Sequence, residues 1–428
     1  MITVKGKHLD SLKIYADALR FDDPATHLPD FGPFDAVRRL IVGAHQAFMD
    51  DDTAYRLALS VYFKFALKLN PEMSCPVTTE KMLRGQTDAL VQAFKTEIES
   101  LPRSYQLRFE LPMVQTLGSY RIELSETVAL VGGTQHGFDS IPVGFDDVRE
   151  AQWRGLAAAS AAGKIPAVST YIEVSAIGYT DASTGSALAA KAISAAKQAV
   201  FLLRGEGLFM RSGTKLKARL TMYDASRGVS RTVPAPSGFD GIFGKVGLQR
   251  HDLRMQQAPA AGLFGESEAR LATTDAEVVK TLKFRTDSVR RFFSLADTEE
   301  AQSIGAAIEW YLDAETGENE TLAYLSCCIG LEAILGDHSV GKDRDLVSTS
   351  RLIDRYAFLL GKNHEARRRL RKEYDDILTA RGDLVHGRAF RLPAEHRLKL
   401  HTVRGMLWRV IWHEYQSLLV ASPPGARD

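Results

Sequence analysis

The spacing of hydrophobic residues changes twice along this chain of 428 residues. From about Phe34 to Ser100, apolar residues recur every three or four positions, and Leu90, Phe94 and Ile98 form one such series. This spacing matches the 3.6 residues per turn of an α-helix. We therefore predict that residues 34–100 are helical.

A period of two then replaces the helical period. Apolar and polar residues alternate from Tyr105 to Leu111 and again from Tyr120 to Leu124. Such alternation predicts strands with one buried face, and the short connection between them predicts that the two strands pair as a β-hairpin. The elements predicted next are a strand over Val168–Ile177, a helix over Ser186–Arg204 and a strand over Leu216–Tyr223.

From about Asp297 onward the pattern is helical again. The apolar stripe Ile304, Ile308, Tyr311 and Leu312 begins it, and four further periodic segments follow. These segments are Leu322–Leu335, Leu346–Leu360, a stretch from His364 into residues 381–387, and Leu398–Leu419. Five consecutive helices predict a bundle. We predict an α+β N-terminal region over residues 1–295, with one or more subdomains, followed by an all-α helical-bundle domain over residues 296–428.

Composition narrows the class of protein. Hydrophobic residues make up 45% and charged residues 25%, and no apolar run is long enough to cross a bilayer. Met1–Lys7 lacks the apolar core of a signal peptide, so we expect a cytoplasmic protein without a membrane partner. Cys75, Cys327 and Cys328 show neither a disulfide framework nor zinc-ligand spacing. We expect reduced thiols and no metal or other cofactor.

Charge is distributed unevenly although the formal net charge is only +1. Residues 341–428 hold 18 Lys and Arg against 11 Asp and Glu, a net of +7, whereas the remainder holds 36 against 42, a net of −6. A basic C-terminal region favours a polyanionic partner. For the cluster Arg367–Lys372 taken alone, a solvated helix face is an equally good interpretation.

Candidate chemistry lies in that basic region, where Arg381 and His386 are five positions apart. Arginine is a permanent cation whose planar fork fits phosphate, and histidine can exchange a proton near neutral pH. RNA already contains its own nucleophile, the 2′-hydroxyl. These two side chains therefore suffice for metal-independent RNA cleavage, with a 2′,3′-cyclic phosphate and a 5′-hydroxyl as products. DNA lacks the 2′-hydroxyl and could be bound but not cut in this way.

The spacing poses a geometric problem. Five residues on a straight helix rotate by about 140°, so Arg381 and His386 would not share a face. Either Gly382 distorts the helix and brings them together, or a second copy of the chain completes the site. Asp383 could orient the histidine or cap a following helix, and we favour the cap. Arg388 adds a phosphate contact or is solvated.

Glu332 is the remaining candidate, because it interrupts an apolar helix. A carboxylate that is at least half buried needs a partner. We favour a structural salt bridge to an arginine of the bundle, for example Arg351 or Arg355, over the alternative, in which Glu332 positions Arg381.

Several short motifs follow one another in the C-terminal region. They are Ile308-Glu-Trp-Tyr311, Gly330-Leu-Glu-Ala333, Ser350-Arg351 with Arg355-Tyr-Ala357, Tyr374, and Arg381-x4-His386-Gly387. Over roughly residues 297–420 their order resembles the Apea-like branch of the HEPN superfamily. Catalytic members of that family are metal-independent endoribonucleases that act as dimers with facing motifs. Many belong to toxin–antitoxin, CRISPR-linked or anti-phage (abortive infection) systems.

The resemblance implies a regulated ribonuclease. RNA, for example tRNA, would be the substrate, and a homodimer would form through the C-terminal helical domain. The N-terminal region would sense a phage-derived or host trigger. Some relatives have lost the chemistry, and Gly382 stands here where many members carry a polar residue. An inactive HEPN module for dimerisation or RNA binding is therefore the alternative, and a regulator that binds a small ligand in the α+β region is a third possibility.

Overall fold

Helices lie at both ends of the chain and strands lie between them. The computed structural model describes residues 3–18, 32–46, 48–69, 85–115, 120–133, 169–180, 186–206, 209–211, 219–224, 229–234, 246–248, 275–316, 319–336, 349–393 and 397–422. Its helices are α1 (Lys7–Ala18), α2 (Asp35–Ala44), α3 (Asp51–Leu69), α4 (Thr87–Glu99), α5 (Ala187–Gly205), α6 (Asp275–Ser294), α7 (Glu299–Thr316), α8 (Glu320–Leu335), α9 (Thr349–Leu360), α10 (His364–Val385) and α11 (Arg397–Ala421). Its strands are β1 (Arg103–Gln115), β2 (Tyr120–Glu123), β3 (Val128–Gly133), β4 (Ser169–Gly178), β5 (Phe209–Arg211), β6 (Arg219–Asp224), β7 (Val229–Pro234) and β8 (Val246–Leu248).

The first four helices form a core of their own. Within the described residues, helices occupy the stretch that the sequence predicts to be helical, and α1 precedes it. Tyr15 of α1 lies with its ring centroid 5.2 Å from that of Phe34 and 5.6 Å from that of Phe94. These three rings are fully buried, so aromatic packing joins α1 to the helices that follow.

Six antiparallel strands form the main sheet in the order β2-β3-β4-β1-β6-β7. The predicted strands are present, but the predicted hairpin between the first two is wrong. Leu107 of β1 stands opposite Val174 of β4 and Met222 of β6, so β1 lies inside the sheet. The tight connection instead joins β2 to β3, where the Leu124 N–H donates to the Val128 carbonyl over 2.8 Å. Local spacing identified β1 as a strand, but it cannot identify the partners of a strand whose two edges are both paired by distant segments.

The two faces of the sheet differ in chemistry. The alternating apolar residues, among them Leu107 and Phe109, are buried as predicted. On the other face Glu173 is 1% exposed and accepts hydrogen bonds from Arg108 over 2.6 Å and from Arg121 over 2.5 Å. Burial raises the pKa of Glu173, but the bonds from Arg121 and Arg108 outweigh it and hold that pKa below its ordinary value.

The larger core joins this sheet to α5 and to the C-terminal helices. It therefore contains residues from both sides of position 295, where the sequence predicts a domain boundary. All five predicted C-terminal helices are present. Charged pairs reinforce the contact between α5 and α7: Arg204 bonds Glu315 over 2.6 Å, and Lys197 bonds Glu309 over 3.1 Å.

Two further predictions concern thiols and membranes. Cys327 and Cys328 are buried free thiols of α8, and burial raises the pKa of Cys327 to about 12. Cys75 lies outside the described residues. Among the described helices, none has the length and apolar character needed to cross a bilayer.

Candidate active site

Helix α10 carries most of the candidate residues, and both of its ends are well defined. The Asn363 side chain caps the N-terminus by accepting a hydrogen bond from the Ala366 N–H over 2.8 Å. Leu370, Tyr374 and Ile377 then form its buried stripe. Packing of that stripe fixes the rotation of the helix and so decides where its last turns point.

The end of α10 determines the surroundings of His386. The helix continues through Gly382 to Val385, and His386 is its C-cap residue, with its N–H bonded to the Gly382 carbonyl over 3.0 Å. Gly387 follows with φ +71°, the left-handed conformation in which a glycine commonly ends a helix. The expectation that Gly382 distorts the helix is therefore wrong, because the break comes five residues later, at Gly387.

The chain reverses direction directly after the histidine. The backbone N–H groups of Arg388 and Ala389 both donate to the Asp383 carbonyl, over 2.9 and 3.0 Å. The Asp383 carboxylate forms a 3.4 Å ion pair with the exposed Arg388 side chain. Asp383 therefore does not cap a following helix as expected, since it lies inside α10 and α11 begins only at Arg397. The Arg388 side chain is exposed and forms one weak pair, with Asp383. This exposure is compatible with both roles considered for Arg388, a phosphate contact and a solvated side chain.

Arg381 and Glu332 form an ion pair that joins α10 to α8. One guanidinium nitrogen, Nη2, lies 3.3 Å from Oε1 and 3.4 Å from Oε2 of the carboxylate. The Arg381 side chain is 33% exposed and that of Glu332 is 32% exposed, so both can reach solvent. The pair is long and single-ended, without the two parallel bonds of a strong arginine–carboxylate contact.

Glu332 forms a salt bridge to an arginine of the bundle, but the described partner is Arg381 and not the suggested Arg355. Arg355 donates instead to the carbonyls of Leu335 and Gly336, over 3.1 and 2.7 Å, and pairs with Glu414. Those carbonyls belong to the last turn of α8 and its cap, where a cation is favourable. Glu332 is thereby left to Arg381, the partner that the alternative interpretation assigned to it.

Tyr374 lies on the same side of α10 as Arg381, two helical turns earlier. Its side chain is fully buried, and within the described residues its hydroxyl has no hydrogen-bond partner. Burial raises the pKa of Tyr374, with smaller contributions in the same direction from Cys328 and Glu332. The hydroxyl therefore stays protonated near the ion pair. Sequence analysis included Tyr374 in the motif order but gave it no role, although a spacing of seven residues places two side chains on one helix face.

His386 faces solvent. Its imidazole forms no hydrogen bond or ion pair with any residue that the structure describes, and its side chain is exposed. No contact joins it to Arg381, whose guanidinium is directed towards α8. Because α10 continues without a break to Val385, the rotation of about 140° between positions 381 and 386 that the sequence predicts applies to most of this interval.

The basic cluster earlier in α10 is divided into two kinds of side chain. Arg367 and Arg371 lie over the Phe358 ring, 4.4 and 5.5 Å from its centroid, and Arg371 also pairs with Asp354 over 2.7 Å. The other cations of the cluster, Arg368, Arg369 and Lys372, are exposed. Part of the cluster thus packs against α9, and the remainder gives the helix a positive surface.

Comparisons of this chain with protein-family models, with curated proteins and with solved structures found no match. The resemblance drawn from the order of the motifs therefore stays a prediction. Among the described residues, no group of three or more His, Cys, Asp or Glu side chains is placed to hold a metal ion.

Proposed function

We propose that this protein is a metal-independent endoribonuclease whose reacting groups are Arg381 and His386. The observation that carries the proposal is the end of α10. A guanidinium in a weak, one-third-exposed ion pair, and an exposed imidazole that has no partner among the described residues, lie within the last two turns of α10 and its cap. Both groups are accessible to a phosphodiester, and the single long pair of Arg381 contributes little to the fold.

The chemistry follows from the substrate. A base removes the proton of the 2′-hydroxyl, the 2′-oxygen bonds to the adjacent phosphorus, and the bond to the 5′-oxygen breaks as that oxygen takes up a proton. His386 supplies one of these proton transfers, since an imidazole can act as general acid or base near neutral pH. Arg381 neutralises the charge that develops on the phosphoryl oxygens. The other proton transfer falls to His386 of a second copy or to water.

Glu332 and Tyr374 would act through Arg381. In the free protein the Glu332 carboxylate occupies the guanidinium, so an incoming phosphate competes with it. The buried Tyr374 hydroxyl, which stays protonated, is a donor that either oxygen of the displaced carboxylate can accept from. We assign both residues a positioning role, which orients the guanidinium without contact to RNA.

The biological setting is proposed from the resemblance alone. A homodimer through the C-terminal helices would bring two Arg381/His386 pairs together, as the separation of the two groups in one chain requires. RNA such as tRNA would be the substrate. The N-terminal region would hold the enzyme inactive until a phage-derived or host trigger is bound, as expected of an anti-phage toxin.

The alternative is a non-catalytic module that binds RNA or dimerises. It is favoured by the absence, among the described residues, of any hydrogen bond or ion pair between Arg381 and His386, since Arg381 pairs with Glu332 instead. It predicts salt-sensitive RNA binding without product.

The test is cleavage of tRNA and total RNA in excess EDTA by the full chain. We expect His386→Ala and Arg381→Ala each to lower cleavage by at least about 100-fold, the range for loss of a general acid or base. His401→Ala and Arg369→Ala are matched controls, since both residues are exposed and lie in the same bundle. Products should carry a 2′,3′-cyclic phosphate, and a 2′-deoxy substitution at the scissile nucleotide should block cleavage. Equal cleavage by wild type and both site variants would exclude the proposal.

A further inference from the structure

Phe390 is the most exposed of the large apolar side chains near the candidate site. Its relative exposure is 100%, in the segment between the cap of α10 and the start of α11. Folding buries phenylalanine far more often than it exposes it completely. A fully exposed ring four residues after His386 is therefore a feature that the fold itself does not explain.

The segment that carries Phe390 is anchored on both sides. Before it, the Arg388 and Ala389 N–H groups bond the Asp383 carbonyl of α10. After it, the Leu392 N–H donates to Thr321 Oγ1 of α8 over 2.9 Å, and the Leu392 side chain is buried. The backbone that carries the ring is thus held in place on both sides. A ligand that binds the ring therefore loses little free energy to ordering of this segment.

The charged residues nearest to Phe390 in the chain are two arginines, Arg388 and Arg391, and the carboxylates of Asp383 and Glu395 lie further along on either side. Arg391 is exposed and forms no ion pair with any residue in the described part of the chain. Phe390 therefore stands between two cations, one of which is weakly paired with Asp383. An aromatic ring between arginines suits a ligand that combines flat apolar surfaces with negative charge.

The ring is also close to the proposed chemistry. Four residues span at most about 14 Å even when fully extended, and the Asp383 bonds fold this segment back on the last turn of α10. A strand whose phosphate lies at His386 would place a neighbouring base within reach of Phe390.

We propose that Phe390 is a stacking platform for an unpaired nucleobase, flanked by phosphate contacts from Arg388 and Arg391. This inference rests on the proposed function and specifies its substrate class as RNA with unpaired bases next to the cut. Bases of a duplex are already stacked on their neighbours, so a duplex cannot use the ring. A single-stranded segment or loop can place a base on it.

A second copy of this chain is the other candidate for covering the ring. Across a two-fold axis, however, Phe390 would bring Arg388 and Arg391 towards the same arginines of the other copy. Like charges facing each other oppose a direct ring-to-ring contact, whereas in the proposed homodimer an RNA strand between the two copies would neutralise them. A polyanion meets no such opposition, and charge complementarity therefore favours RNA.

The experiment measures binding separately from cleavage. In a His386→Ala background, the full chain is titrated with a fluorescent single-stranded RNA, the same RNA with one abasic position, and an RNA duplex of equal length. We expect Phe390→Ala to weaken single-strand binding by about 5- to 150-fold, the range that corresponds to loss of one stacked base. Phe390→Trp should restore binding, and duplex binding should not change.

Leu398→Ala is the matched control, because Leu398 is 77% exposed, apolar and flanked by the cations Arg397 and Lys399, but has no aromatic ring. It should leave the affinity for the single strand unchanged. A series of RNAs, each with its abasic position one nucleotide further along the strand, locates the stacked base. Phe390→Ala should have no effect on the affinity for the one RNA that lacks this base.

Unchanged single-strand affinity of Phe390→Ala would overturn the inference. If that result came with a shift of the monomer–dimer equilibrium in sedimentation, the ring would be assigned to contact between copies. Failure of the nuclease proposal is distinguishable: cleavage would then be insensitive to Arg381→Ala while Phe390→Ala still weakened binding.

Discussion

Two Arg–Glu pairs in this molecule have the same chemistry and opposite environments. Arg204 and Glu315 join α5 to α7, at 2.6 Å, with the glutamate side chain only 2% exposed. Arg381 and Glu332 join α10 to α8, at 3.3 Å, with both side chains about one-third exposed. The first pair is enclosed and the second remains open to solvent. The presence of an arginine–glutamate pair therefore does not distinguish a functional site from a structural contact, and the burial and geometry of the pair are needed to do so.

The enclosed pair has a full set of partners. A second Arg204 nitrogen, Nη2, donates to the other Glu315 oxygen over 3.2 Å and to the Tyr311 hydroxyl over 3.4 Å. The guanidinium also lies over the Trp408 ring, 5.3 Å from its centroid. A phosphate could not displace Glu315 without breaking this network. In the open pair, the contacts that the described residues make to the Arg381 guanidinium are those of the Glu332 carboxylate to one nitrogen, Nη2.

A glycine follows the arginine in both places, and the two glycines differ in the same way. A Cβ on Gly205 would lie 2.3 Å from the Trp412 ring, so the absence of a side chain there permits close packing of α11 on α5. A Cβ on Gly382 would meet nothing within 4 Å. Near Arg204 the backbone is enclosed, and near Arg381 it is open.

The largest expected effect is on the enclosed pair. Glu315→Ala leaves a mostly buried guanidinium without its carboxylate, and breaking a buried pair in this way costs about 3–5 kcal/mol. Urea unfolding followed by circular dichroism should show this loss in the free energy of unfolding. A loss no greater than that caused by Glu332→Ala would remove the distinction between the two pairs.

The glycines should give an effect of intermediate size. Gly205→Ala forces a methyl group into the Trp412 ring and should lower the free energy of unfolding by about 1–3 kcal/mol, as overpacking does. Thermal unfolding with Trp fluorescence detects both the loss of stability and the displaced ring.

Gly382→Ala is the matched control for that substitution. The residue lies inside α10, where alanine is favoured over glycine by about 0.5–1 kcal/mol, so this variant should be slightly more stable than wild type. A destabilised Gly382→Ala would mean that the end of α10 needs the freedom of a glycine after all.

The smallest effect on stability is expected at the open pair. Glu332→Ala frees a guanidinium that can be hydrated, so the free energy of unfolding should change by no more than about 1 kcal/mol. If Glu332 positions Arg381, the variant should bind RNA more tightly, because a competing carboxylate is gone, and cleave bound RNA more slowly. Separate determination of KM and kcat resolves the two effects. A parallel fall in stability and cleavage would assign Glu332 a purely structural role.

Local patterns predicted the helices and strands because their physical cause is local. The stripe Ile304, Ile308, Tyr311 and Leu312 follows one face of α7, and all four side chains are buried. Gly387 was an additional local signal that was not used: a glycine directly after the last periodic residues marks a helix end and identifies His386 as the cap.

The pairing of strands and the partners of charged side chains could not be predicted in the same way. Tyr105 and Tyr120 are close in the chain, yet their strands pair with others, because the sheet matches apolar faces that are distant in sequence. Glu332 is likewise 49 residues from Arg381, and its distance from each available arginine depends on how α8, α9 and α10 cross.

The amino-acid sequence by itself determined most of the helices, the strands β1, β2, β4 and β6 with their apolar faces, and that an arginine and a histidine lie close together where α10 ends. Hydrophobic periodicity and the φ preference of glycine act within a few residues, so these properties are readable along the chain. Only the tertiary structure decided that Arg381 pairs with Glu332, that His386 and Phe390 face solvent, and that the C-terminal helices share a core with the sheet. Those outcomes depend on how distant surfaces exclude water together, which no local pattern records.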